Sequence, residues 1–155
     1  MKLDKLLDLA WSIAEIEAKA LGSETIEPMH FLLAVLKIVD ADFPSQLDKL
    51  DISSDDWKNM CRDAKKVRGY LDVLPEKITT VRRRIRHRLA RNSKPPIPDD
   101  QVIHRSRKTR AAFFDAANQT DGDVITLLQL MESMFEFGFL DVSDMRWRAS
   151  TKTFH

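Results

Sequence analysis

The sequence predicts an all-α protein built on an internal repeat, and three observations carry that prediction. Apolar residues recur at helical spacing, beginning with Leu3, Leu6, Leu7, Ala10, Ile13, Ala14, Ala18 and Leu21, an i, i+3, i+4, i+7 stripe. The chain holds 4 glycines and 6 prolines among 155 residues. It is rich in Leu, Ala, Lys and Arg, which favour helix over sheet, and contains no convincing period-2 stretch. Lastly, Gly22–Leu36 and Gly122–Phe135 read as two copies of one instruction. In each, a glycine ends an amphipathic helix, a short loop delivers Ile26 or Ile125, and an apolar helix begins. A repeat of this kind constrains architecture before any single residue does.

The elements follow in order. The first helix covers residues 3–21, with Gly22 where a C-cap belongs. Pro28 fits the first turn of the next helix, where its missing N–H is no loss. Phe31, Leu32, Val35, Leu36 and Val39 make that helix nearly all apolar, and therefore central. Residues 40–54 read as a loop with one short helix over Gln46–Leu50. Ser53 or Ser54 caps a helix reaching about Tyr70, with Asp55 and Asp56 in its first turn, and Pro75 interrupts after it. Ile78, Val81, Ile85 and Leu89 form a narrow stripe ending before Asn92. Pro95, Pro96 and Pro98 mark a linker, because consecutive prolines stop helices. The second half opens near Val102. Its first helix runs to about Thr120 and buries Ala112, Phe113, Ala116 and Ala117. Thr126 and Gln129 form a capping box at the start of the next, in the register of Glu27 and His30, 99 positions earlier. A small helix is expected near Val142–Arg148, and Ser150–His155 should fray. The organisation is one domain over 1–155: repeat one at 1–92 with an enlarged third-helix region at 40–75, a linker at 93–100, repeat two at 101–149 and a tail at 150–155.

Composition narrows the class. Hydrophobic residues at 43% and charged residues at 32% suit a globular domain. No apolar run approaches the ~20 residues of a membrane span. Met1-Lys2-Leu3-Asp4 has an early acid and no apolar signal core, so no secretory signal is expected. Cys61 stands alone, which excludes an intrachain disulfide, and the whole fits a cytoplasmic setting. The net charge of +1 hides an asymmetry: from Lys77 to Arg110, Asp99 and Asp100 are the only acids against a dense set of Lys and Arg.

Catalytic chemistry finds no support. Gly22, Gly69, Gly122 and Gly138 cannot supply a Walker A loop. His30, Cys61, His87, His104 and His155 have no metal-ligand spacing, and no serine lies in a nucleophile elbow. The expectation is therefore no enzyme, no metal and no cofactor. His30, third in its helix, reads as a group that satisfies helix-end amides, and Cys61 as a half-buried helix residue.

Met1-Lys2-Leu3-Asp4-Lys5-Leu6, Ala20-Leu21-Gly22 and Ile26-Glu27-Pro28-Met29-His30-Phe31-Leu32 resemble the start of a ClpB-type disaggregase N-terminal domain. Ser106–Ala117 and Ile125–Phe135 resemble that domain's second Clp repeat, so the likeness covers most of the chain. It implies one compact helical domain of two four-helix repeats related by a pseudo-two-fold, with Ile78-x-x-Val81-x-x-x-Ile85 closing the first. It also implies a non-catalytic protein-interaction module for an AAA+ Clp-type chaperone or unfoldase. Its partners would be an unfolded or extended polypeptide, an adaptor protein or an amphipathic helix, with the ATPase either a C-terminal module or a separate Clp protein. The chain departs from the pattern at Met29 and Leu128, where phosphoarginine-binding relatives place a glutamate. Neither side chain pairs with a guanidinium, so that activity is not expected. The client groove of the resembled domain maps onto Ala111, Phe113 and Gln129, of which Phe113 is the large hydrophobe.

Two surfaces are candidates for binding. The first is a client site of Phe113, Phe114, Leu128 and Gln129. Adjacent helix residues point about 100° apart, so Phe113 and Phe114 do not share one buried face, and one of them should be accessible. The second is the basic helix 77–94, with Arg82, Arg83 and Arg86 as a surface for nucleic acid or an acidic partner. Its plainer reading is the solvated side of a helix docked through its apolar stripe. Without interleaved aromatics for base stacking, nucleic acid is the disfavoured partner. Met134, Phe135, Phe137 and Phe139 read as core or subunit contact, and an exposed Trp147 would be a peptide anchor.

Overall fold

The computed structural model describes residues 2–40, 52–71 and 77–141. The expected short helices over Gln46–Leu50 and Val142–Arg148, together with Pro75, Trp147 and the tail, lie outside these residues. The described chain runs β1 (Lys2–Leu3), α1 (Lys5–Ala20), β2 (Thr25–Ile26), α2 (Pro28–Ile38), α3 (Ser54–Leu71), α4 (Ile78–Ala90), β3 (His104–Arg105), α5 (Arg107–Gln119), β4 (Val124–Ile125) and α6 (Leu127–Glu136).

The all-α expectation is overturned: the fold is mixed α/β, with two small parallel sheets. β1 pairs with β4 in the register Lys2↔Val124 and Leu3↔Ile125. β2 pairs with β3 in the register Thr25↔His104 and Ile26↔Arg105. Flanking bonds extend each ladder, from Asp4 N–H to the Ile125 carbonyl at 3.0 Å and from Ser106 N–H to the Ile26 carbonyl at 3.1 Å. Two-residue strands are too short to show period-2 alternation, and each partner lies far away in the chain, which is why the sequence pattern does not reveal them. The description of two four-helix Clp repeats is corrected with it. Among the described residues the second half contributes α5 and α6, whereas α1 to α4 belong to the first.

The repeat itself takes a definite form. Each half opens strand–helix–strand–helix, and the strand before the first helix of one half pairs with the strand before the second helix of the other. This reciprocal exchange is what two copies facing each other about a two-fold axis would produce. Ile26 and Ile125 occupy matching positions at 0% and 2% exposure, as do Phe31 and Leu130, both at 0%.

Caps set the helix limits. Asp4 accepts from the Leu7 N–H at 2.8 Å, so α1 begins at Lys5 and Leu3 belongs to the strand. Its end is a Schellman closure: Ser23 N–H bonds the Ala18 carbonyl at 2.9 Å and Gly22 N–H bonds that of Lys19 at 3.0 Å. Gly22 has φ 71°, and a Cβ there would stand 2.5 Å from the Lys94 carbonyl oxygen, so both backbone shape and space require glycine. The proline-rich segment is strapped over this corner. Lys94 N–H bonds the Leu21 carbonyl at 3.1 Å, Ile97 N–H that of Lys19 at 2.9 Å, and the Lys19 ammonium donates to the Asp99 carbonyl at 2.8 Å.

The core sits on α2, where Phe31, Leu32, Ala34, Val35 and Leu36 are all fully buried. α1 and α4 pack on it, while α6 packs on α5 and α3. α4 docks through Val81 and Ile85, and α3 buries Met60, Val67 and Leu71. Each such aliphatic side chain stabilises the fold by about 1.5–3 kcal/mol. Among the described residues no helix is long and apolar enough to cross a membrane.

Candidate protein-interaction surface

The surface is built outward from the start of α5. Ser106 caps that helix by accepting from the Thr109 N–H at 3.2 Å. Thr109, fully buried, donates its hydroxyl to the Ile26 carbonyl at 2.8 Å, which ties the first turn of α5 to β2. One turn further on, this places Phe113 in the core at 5% exposure. Its ring lies 5.3 Å from Trp11 and 5.5 Å from Phe31, and the latter two rings are 6.4 Å apart. Aromatic packing at these separations favours tilted and edge-on geometries of the kind seen here.

Phe114, the next residue, turns out of the core and is 67% exposed. It belongs to an exposed stripe with Arg107, Arg110 and Asn118, at the 3- and 4-residue spacings that share one helix face. Beside the stripe, the Arg105 guanidinium carbon lies 4.5 Å from the Trp11 ring centroid and 4.7 Å from that of Phe113. Partial burial, reinforced by the neighbouring charge of Arg110, lowers the Arg105 pKa, though a guanidinium stays charged throughout the physiological range. Arg105, Arg107, Lys108 and Arg110 have no ion pair among the described residues.

The four expected client residues have different surroundings. Phe113 fills the aromatic core and Phe114 faces out. Leu128 lines a cleft of about 100 Å³ with Asp4, Leu6, Asp63, Lys66, Thr126 and Leu127, a wall that includes neither phenylalanine. Gln129 completes the cap of α6. Its side-chain oxygen accepts from the Thr126 N–H at 2.9 Å, and its amide reaches the Thr120 hydroxyl at 3.3 Å.

The basic helix is differently placed. Arg82 pairs with Asp40 at 3.6 Å, the two side chains being 20% and 14% exposed. Arg86 pairs with Glu17, whose side chain is 10% exposed. Arg84, Arg88 and Arg91 are engaged as well, and Arg83 is exposed.

His30 performs the capping role its position suggests. Its Nδ1 accepts from the Glu27 N–H at 2.8 Å, so the ring proton sits on Nε2 in the neutral form. Desolvation, opposed by the nearby Glu27 charge, lowers its pKa to about 4. Cys61 is partly buried on α3, and no group of three or more His, Cys, Asp or Glu among the described residues could hold a metal ion.

Arg105 is the residue that sequence reasoning missed. Its signal lies in the repeat. Aligning the two caps Asp4 and Ser106 sets Arg105 on Leu3, a cation in place of a hydrophobe at the position before the cap. No family model, no curated protein and no solved structure matches the chain.

Proposed function

We propose that this chain is a non-catalytic polypeptide-binding module, which takes an extended or unfolded segment on the exposed face of α5 for a Clp-type AAA+ chaperone or unfoldase. The observation that carries the reading is Phe114, a large hydrophobe 67% exposed on a helix held rigidly by the Thr109–Ile26 bond. An exposed aromatic on a firm support gives apolar contact at little entropic cost. The resemblance to ClpB-type N-domains supports the same reading, because it sets the client region on this half of the chain. The alternative, nucleic acid on α4, loses support from the pairing of Arg82 and Arg86.

The test is fluorescence anisotropy with an unfolded, casein-like protein. Phe114→Ser should weaken binding at least severalfold while shifting stability by no more than about 0.5 kcal/mol. Normal binding by the folded variant would place the interface elsewhere.

A further inference from the structure

We propose that this surface selects acidic apolar segments, with Arg105 receiving a carboxylate and Phe114 covering an apolar side chain a few residues along. The inference rests on the polypeptide-binding reading and adds the chemistry of the segment. The Arg105 guanidinium carbon lies over the Trp11 and Phe113 rings, and the group's N–H donors suit a planar, bidentate acceptor. No hydrogen-bond acceptor or acid among the described residues takes that fork. The two rings also hold the group in place, so little orientational freedom is lost when a carboxylate docks.

Charge complementarity names the occupant. Arg107, Lys108 and Arg110 add three more cations to the same turn of α5, and Asp115, the acid on that helix, forms no pair with them. At a rise of 1.5 Å per residue, Arg107 and Arg110 stand roughly 6–10 Å before Phe114 along the helix. An extended chain advances about 3.3 Å per residue, so an acid opposite Arg107 or Arg110 lies about two or three residues from the apolar anchor of a fitting segment. A phosphate backbone fits less well, because Phe114 is the one exposed aromatic on α5 and successive bases would find no second platform.

The probe is a short fluorescein-labelled peptide with a Leu-Leu anchor and two glutamates two and three residues away, with twins carrying Gln or Lys instead of Glu. At low salt the Glu peptide should bind roughly tenfold more tightly than the Gln twin, and the Lys twin weakest. Arg105→Gln should collapse the Glu-to-Gln ratio towards one. Arg105→Lys, which keeps charge and stem but not the fork, should lower it by at least half, with folding checked by thermal melting in both. Lys65→Gln, the same charge change on α3, should leave the ratio intact. Equal binding of all three peptides, lost together in Phe114→Ser, would overturn the acidic preference and leave the polypeptide-binding reading standing. No binding of any peptide, or full binding by Phe114→Ser, would overturn both. A single-stranded oligonucleotide that displaces the Glu peptide at lower concentration would overturn the acidic-segment assignment in favour of phosphate.

Discussion

Arg82–Arg88 on α4 is the densest run of positive charge in the chain, while Arg105–Arg110 is sparser and interrupted by Ser106 and Thr109. On α4 the charge is drawn inward: Asp40 and Glu17 hold Arg82 and Arg86, and the helix is anchored by Val81 and Ile85. At the start of α5 no acid among the described residues pairs with the charge, which borders an exposed phenylalanine. The difference teaches that charge density does not locate a binding surface. Unneutralised charge beside unburied apolar area does, because both raise the free energy of the unliganded surface and both are relieved by a complementary partner.

The comparison breaks if α4 is not a structural helix. Ile85 is fully buried, so Ile85→Ala should cost about 2–5 kcal/mol in chemical denaturation. An unchanged midpoint would show that α4 is not docked, and its arginines would then be a surface after all.

A second test compares the halves that carry the two helices. α2, which supports α4, is capped by His30, and α6, which supports α5, by Gln129. The folded His30 pKa of about 4 lies below the ordinary histidine value of 6.5. The unfolded chain therefore binds this proton more readily. Its stabilising effect is complete above pH 6.5, declines as pH falls, and is gone near pH 4, a loss of about 3 kcal/mol. His30→Gln copies the other half's cap and should flatten stability over that interval. A variant whose acid-side slope equals the parent's would assign the loss to other groups.

The smallest effect is expected at Glu17. Removing its charge by Glu17→Gln leaves Arg86 unpaired but half-exposed, so water can solvate it, and the cost should be about 1 kcal/mol. A much larger loss would mean that the pair, and not Val81 and Ile85, holds α4 to the body. Should the variant also begin to bind oligonucleotide or acidic peptide, the neutralisation argument would be sharpened directly.

What the sequence shows and what it hides divide along physical lines. α2 and α6 are legible because apolar periodicity and capping residues are local, and Thr126, Gln129, Gly22 and Pro28 all act where the pattern places them. The exposure of Phe114 is legible for the same reason, from the angle between adjacent helix residues. The ladders are not. Leu3 fits the stripe of α1 as well as it fits a strand, and only its partner Ile125 distinguishes the two. Arg86 is similar, since its acid lies 69 positions away, and no local pattern says which of several arginines a distant carboxylate will meet.

The crossed strand pairing also bears on how the protein is made. A ribosome delivers Leu3 and Ile26 early, yet the segments that complete their hydrogen bonding, Val124–Ile125 and His104–Arg105, emerge much later. Until those segments follow, the nascent first half carries open backbone edges at both strands. Each ladder closes a very long loop, a slow event in conformational search. The fold is thus completed later and more slowly than its helical content would suggest.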